Sequence, residues 1–156
     1  MNKTMMAILA ALVVAAPLSQ VQAAGDQAAP APPRVATNPD YEAGKKAVEA
    51  HNYKAALDSF NRALAKEPNS ADIHNYLGYS YRKSGNLDMA FKHYNEALKI
   101  DPKHRPAHEY IGEAYLMVND LPKAEEHLKQ LDKICFFRCE EYTELKEAIE
   151  EYKRKH

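Results

Sequence analysis

Three glycines spaced 34 residues apart, Gly44, Gly78 and Gly112, restrict what this chain can fold into more than any other feature. The same step relates Ala56, Ala90 and Ala124, and again Asn52, Asn86 and Asp120. A fixed period of this length signals one supersecondary unit stacked on copies of itself, because a unit this small cannot bury its apolar face alone. Within a copy the apolar residues keep helical spacing. Ile73, Leu77 and Tyr81 fall at i, i+4 and i+8, and Ala90, Tyr94, Ala97 and Leu98 form a second stripe. Each copy therefore reads as two helices, with turns at His51-Asn52, Gly85-Asn86 and Asn119-Asp120. Gly78 and Ala90 are small where paired helices must approach, and Tyr81 and Tyr94 fill the space they leave. Pro68 and Pro102 close the second helices, since proline cannot continue the hydrogen-bond ladder.

Leu77-Gly78, Tyr81, Ala90, Tyr94, Ala97 and Pro102 resemble the tetratricopeptide repeat pattern W-x2-L-G-x2-Y, A-x3-F and P. The first copy matches through Gly44, Ala56, Phe60, Ala63 and Pro68, and the third through Ile111-Gly112, Tyr115 and Ala124. The tryptophan is replaced by Asp40, His74 and His108, and Phe136 stands where the last proline belongs. The resemblance spans residues 37–134 as repeats 37–69, 70–103 and 104–134. It implies an all-α, right-handed solenoid of three helical hairpins that acts as a scaffold for other proteins, without enzymatic activity. Thr37 with Asp40, and Pro39 in the first turn, reads as the start of the first hairpin.

Residues 1–23 read as a signal peptide: Lys3 precedes the apolar run Met5 to Leu18, and Val21-Gln22-Ala23 offers the small residues of a cleavage site. Residues 24–36, with Pro30, Pro32 and Pro33, read as a disordered spacer. The expectation is an exported chain, periplasmic or secreted, with no membrane insertion after cleavage. Lys and Arg total 21 against 22 Asp and Glu, a net charge of −1, and loss of Lys3 makes it more negative. Such a balance argues against a nucleic-acid or anionic-membrane partner.

On the first helix of the second repeat, Asp72, Tyr76, Tyr79 and Lys83 run at i, i+4, i+7 and i+11, away from the core stripe. With Lys45, Asn75, Tyr110, Glu113 and Met117 they form the candidate groove for a protein or peptide partner. Tyrosine offers a large contact area with a polar tip. The competing reading has Tyr76 and Tyr79 pack against the neighbouring hairpin. The basic and asparagine pattern by which some tetratricopeptide domains clamp a carboxy-terminal carboxylate is absent, so the resemblance does not extend to chaperone tails.

Seven histidines raise the question of a metal. His74 and His108, and His93 and His127, form ladders one repeat apart, too widely spaced to share an ion. His104 and His108 at i, i+4 lack an obvious carboxylate partner beyond Glu109. These histidines read mostly as surface residues, and neither metal nor cofactor is expected. No phosphate loop, nucleophile elbow or H-E-x-x-H occurs, so there is no catalytic constellation. Residues 135–156 form a cysteine-containing turn and an amphipathic capping helix with Tyr142, Leu145, Ile149 and Tyr152 on one face. Cys135 and Cys139 are expected to pair, since an oxidising compartment makes a disulfide the default. Their spacing on a continuous helix is too wide for the bond, so the helix must break between them, turning Phe136 or Phe137 onto the apolar face. Two other functions stay open: a thiol or metal-binding envelope protein using Cys135 and Cys139, and a self-associating structural unit.

Overall fold

The computed structural model describes residues 38–156. The leader expected at 1–23 and the spacer at 24–36 lie outside the described residues. Among the described residues there are seven helices and no strand: α1 (Pro39–Glu49), α2 (Tyr53–Lys66), α3 (Ala71–Lys83), α4 (Leu87–Ile100), α5 (Arg105–Met117), α6 (Leu121–Ile134) and α7 (Glu140–Lys155). Helices α1/α2, α3/α4 and α5/α6 pair as hairpins, consecutive hairpins stack through α2 on α3 and α4 on α5, and α7 packs on α5 and α6. This is the all-α solenoid that the repeat period implies.

Caps recur at the period too. Asn52, Asn86 and Asp120 each accept a backbone N–H three residues on, at Ala55, Met89 and Lys123. Such a cap satisfies one of the free donors of a helix start and is worth about 1 kcal/mol. The first helix departs from expectation. Asn38, not Thr37, is its N-cap, and its side-chain oxygen accepts from the Asp40 and Tyr41 N–H groups. Pro39 follows at the first helical position, where its missing N–H has no partner to lose. Ahead of the later caps, each hairpin turns through a left-handed residue, again at the period: His51 (φ 54°), Gly85 (φ 81°) and Asn119 (φ 60°). Only glycine adopts this conformation without strain.

The repeat glycines are contact points between helices. A Cβ on Gly44 would meet the Phe60 ring at 2.5 Å, and one on Gly78 would meet the Tyr94 ring at 2.6 Å. Forcing a methyl into either hollow costs roughly 1–3 kcal/mol. In the third hairpin the equivalent of Phe60 and Tyr94 is Leu128, which is only half-buried. Gly112 is instead filled by Leu145 of α7, at 2.7 Å. Leu145 and Ile149 are buried with Ala124 and Leu131, while Tyr142 packs at the edge. Helix α7 is thus the cover that the exposed end of the array requires. Glu140 and Glu141 in its first turn and Lys153, Arg154 and Lys155 in its last complement its dipole.

The helix breaks where the cysteines require it. Helix α6 ends at Ile134, α7 restarts at Glu140, and Cys135 and Cys139 are joined with S–S 2.03 Å and Cα–Cα 5.8 Å. The expected burial of a loop phenylalanine is overturned, because Phe136 is 93% and Phe137 80% exposed. The apolar face they were to close is already covered by Leu145 and Ile149, and the short closed loop holds both rings outward.

Candidate binding groove

Helices α1, α3 and α5 are neighbours across the hairpins and carry the residues singled out for binding. Tyr79 and Tyr110, on α3 and α5, meet at 5.1 Å between ring centroids, and Tyr53 of α2 lies 6.3 Å from Tyr79. The two phenols are half-buried, and burial pushes both above the ordinary tyrosine value, so they are neutral donors and acceptors. Tyr76 stands apart from them. It stacks on Phe60 at 5.1 Å and meets Tyr41 edge-on at 5.6 Å, within the first core cluster. Its ring packs against the neighbouring hairpin while remaining half-exposed at the groove.

The charged candidates are mostly partnered. Lys45 lies 3.5 Å from Glu42 and over the Tyr41 ring, and exposed Lys83 lies over Tyr79. Glu113 pairs with Arg82, a residue that sequence periodicity passed over. Arg82 is buried, with its guanidinium 5.5 Å from both the Tyr79 and the Tyr110 ring. Met117 is 53% exposed at the far end of α5. Asn75 is buried two helical turns before Arg82 on the same face of α3. Asn75 Oδ1, Arg82 Nε and the Tyr94 hydroxyl are buried without a hydrogen-bond partner. Each such group is expensive to leave unmet, at about 1–3 kcal/mol.

Asp72 ties the second hairpin to the third. His104 caps α5 by accepting the Ala107 N–H on Nδ1, so its Nε2 carries the hydrogen and donates to Asp72 at 3.0 Å. That bond holds the Asp72 carboxyl below the ordinary aspartate range. Both ring nitrogens of His104 are therefore engaged, which removes the chelating pair with His108.

Most of the histidines are not surface residues, contrary to expectation; His51 and His156 are the exposed ones. His74, His93, His104 and His108 are buried and His127 is half-buried. The two ladders join each other: His74 Nδ1 lies 3.1 Å from His93 Nδ1, and His108 Nδ1 lies 2.9 Å from His127 Nδ1. His93 stacks on Tyr81 and His127 on Tyr115. His108 Nε2 donates to the Pro102 carbonyl at 3.1 Å, and the Pro68 carbonyl bonds His74 one period earlier. With Nε2 protonated, Nδ1 of His74 and His108 must accept, so His93 and His127 must donate. Each bond needs its accepting ring to be neutral, so the two rings of a pair cannot both be charged. Burial lowers all four, and the neighbouring ring takes His93 and His127 further down, to about 4.

Glu109 was missed as well. It is 3% exposed, and burial pushes its carboxyl up to about 9, with Glu144, Glu113 and Glu141 adding to the shift. At neutral pH it is a neutral acid between α5 and α7. Among the described residues no three His, Cys, Asp or Glu converge as metal ligands, and no helix is long and apolar enough to cross a membrane.

Two tetratricopeptide repeat family models match, one over residues 41–105 and the other over residues 81–149. No curated protein matches. Among solved structures, the TPR2B domain of yeast Sti1 in its pHsp70 complex is similar at TM-score 0.69 and 15% identity, covering 76% of this chain and 96% of that one. The Yersinia enterocolitica type III secretion chaperone SycD with a YopD peptide gives TM-score 0.67 and 19% identity, over 75% and 92% of the two chains. The Sgt2 domain from Aspergillus fumigatus gives 0.66 and 23% identity, over 75% and 76%. At these identities the likeness is one of fold. The two family matches together take in residues 41–149, which is most of the chain, and with the 34-residue spacing of its capped hairpins they make it a member of the tetratricopeptide repeat family.

Proposed function

We propose that this protein is a non-enzymatic binding module of the cell envelope that holds an extended segment of another protein against α1, α3 and α5. The observation that carries the reading is the tyrosine row over unmet polar groups. Tyr79 and Tyr110 lie over Arg82, whose Nε is buried without a hydrogen-bond partner, and Asn75 Oδ1, two turns earlier on the same face of α3, is unmet as well. A peptide that parts the two rings gains aromatic contact and supplies the missing hydrogen bonds, a combination typical of the few residues that dominate an interface. SycD and the first domain of RPAP3 were each solved with a peptide bound, which supports a peptide partner for this fold. Lys45, Asp72, Tyr76, Lys83, Glu113 and Met117 complete the site. The envelope location rests on the apolar run from Met5 to Leu18 and on the pairing of the only two cysteines.

Panning a displayed library of random peptides against the protein tests this. Enriched peptides are expected to bind at least tenfold more weakly to the Tyr79→Ala, Tyr110→Ala variant, a loss of about 1.4 kcal/mol. Its circular dichroism stays unchanged. Failure to enrich any peptide, or enriched peptides indifferent to both substitutions, overturns the groove assignment.

A further inference from the structure

Phe136 and Phe137 are the most exposed large apolar side chains among the described residues. They touch each other edge to face at 4.9 Å, and the loop that carries them is closed at its base by the Cys135–Cys139 disulfide. Exposure to this degree runs against the normal fate of phenylalanine. The disulfide shortens the segment, and α7 already covers the apolar end of the array, so neither ring has a place to fold back to. Charge around the pair is locally basic, although the chain as a whole is near neutral. Lys129 and Lys133 are exposed on the last turns of α6, and Arg138 is exposed beside Phe137. Exposed Asp132 and Glu140 lie on either side, Glu147 and Glu150 line the hollow beside Arg138, and Glu141 is balanced by Arg105 at 3.6 Å, so the basic character belongs to residues 133–139, where Lys133 and Arg138 carry the only charges.

Two side chains are far too little for a free-standing protein interface, which takes about 800 Å² from each partner. They do suit a bilayer surface. There, apolar residues sink into the headgroup region one by one, and nearby Lys and Arg add attraction to anionic lipids. We propose that the Phe136-Phe137 loop with Lys133 and Arg138 is a peripheral contact for an anionic lipid bilayer, resting the α6–α7 end of the array on the membrane surface. The disulfide's part is to keep the rings displayed together.

The chain contains no tryptophan, so Phe137→Trp introduces a single reporter at the tip of the loop. Full-length protein with this substitution is mixed with vesicles of phosphatidylglycerol or phosphatidylcholine that carry brominated acyl chains. Blue-shifted emission and quenching are expected with phosphatidylglycerol. The apparent affinity should fall at least tenfold with phosphatidylcholine, and likewise when Lys133→Glu and Arg138→Glu are added. Because the reporter sits in the loop, vesicle binding by the amino-terminal apolar run leaves it unquenched. A tryptophan that stays water-exposed on phosphatidylglycerol vesicles overturns the proposal, and so does equal quenching by both lipids. Phe136→Ser with Phe137→Ser, which removes no buried contact, should abolish charge-dependent flotation on phosphatidylglycerol. Undiminished flotation of that variant also counts against it.

Discussion

At the scale of single residues, Glu109 is the least favourably placed group described. Its carboxyl is buried within reach of three other carboxylates and holds its proton until about pH 9, whereas the unfolded chain releases it near the ordinary value of 4.5. The folded state thus binds more protons between those values, and stability falls as pH rises through the window. Glu109→Gln keeps the shape and removes the titration. It should raise stability at pH 8 by roughly 1–3 kcal/mol and flatten the alkaline limb, as denaturant unfolding at several pH values will show. Neither Glu109 nor Arg82 was legible in the sequence, because helical periodicity sorts polar residues onto solvated faces by default. Only the packing of α7 and the closing of Tyr79 over Tyr110 bury them. Tyr76 was read as a groove position, but its stacking on Phe60 depends on where the adjacent hairpin sits.

At the scale of the element, the hairpin is stapled by chemistry as well as by apolar contact. The His74–His93 and His108–His127 bonds require a neutral accepting ring, and burial disfavours charge on its partner as well. Folded values lie below the ordinary 6.5, and at about 4 for His93 and His127, so the unfolded state takes up protons first. Their contribution is complete above about pH 6.5 and is lost as pH falls from there towards 4. The protein should be weaker at pH 4.5 than at 6.5 by on the order of 2 kcal/mol, after allowance for partial solvent screening. His93→Phe with His127→Phe keeps the stacking on Tyr81 and Tyr115 and should flatten this acid limb in calorimetry, even if it lowers stability at all pH values. The turns inside the hairpins, at His51, Gly85 and Asn119, were readable from glycine and asparagine spacing. The histidine pairing was not. The ladders were compared along the repeat, whereas the contact runs across it, from the first helix to the second, 19 residues apart.

At the scale of the whole molecule, the array presents two different surfaces: the tyrosine row along α1, α3 and α5, and the phenylalanine loop between α6 and α7. The row carries the proposed binding of a protein segment, and the loop uses none of its residues. Helix α7 connects them, since it buries Leu145 against Gly112 while its start anchors the loop through Cys139. Leu145→Ala should cost roughly 2–5 kcal/mol, with hydrogen exchange accelerating in α5 and α6 before α1 and α2. If α1 and α2 lost protection first, α7 would not be what holds the third hairpin.

The filling of Gly112 by Leu145 also bears on how such a protein can change length. In the first two hairpins the hollow and its plug, Gly44 with Phe60 and Gly78 with Tyr94, belong to the same unit, so duplicating such a unit copies both together. The third keeps its hollow but has handed its plug to the following helix. A new repeat inserted after Ile134 would part Gly112 from Leu145 and leave a void, whereas one inserted before Arg105 would not. Growth of this chain by duplication is therefore confined to its amino-terminal side, and its carboxy-terminal end is closed to further repeats.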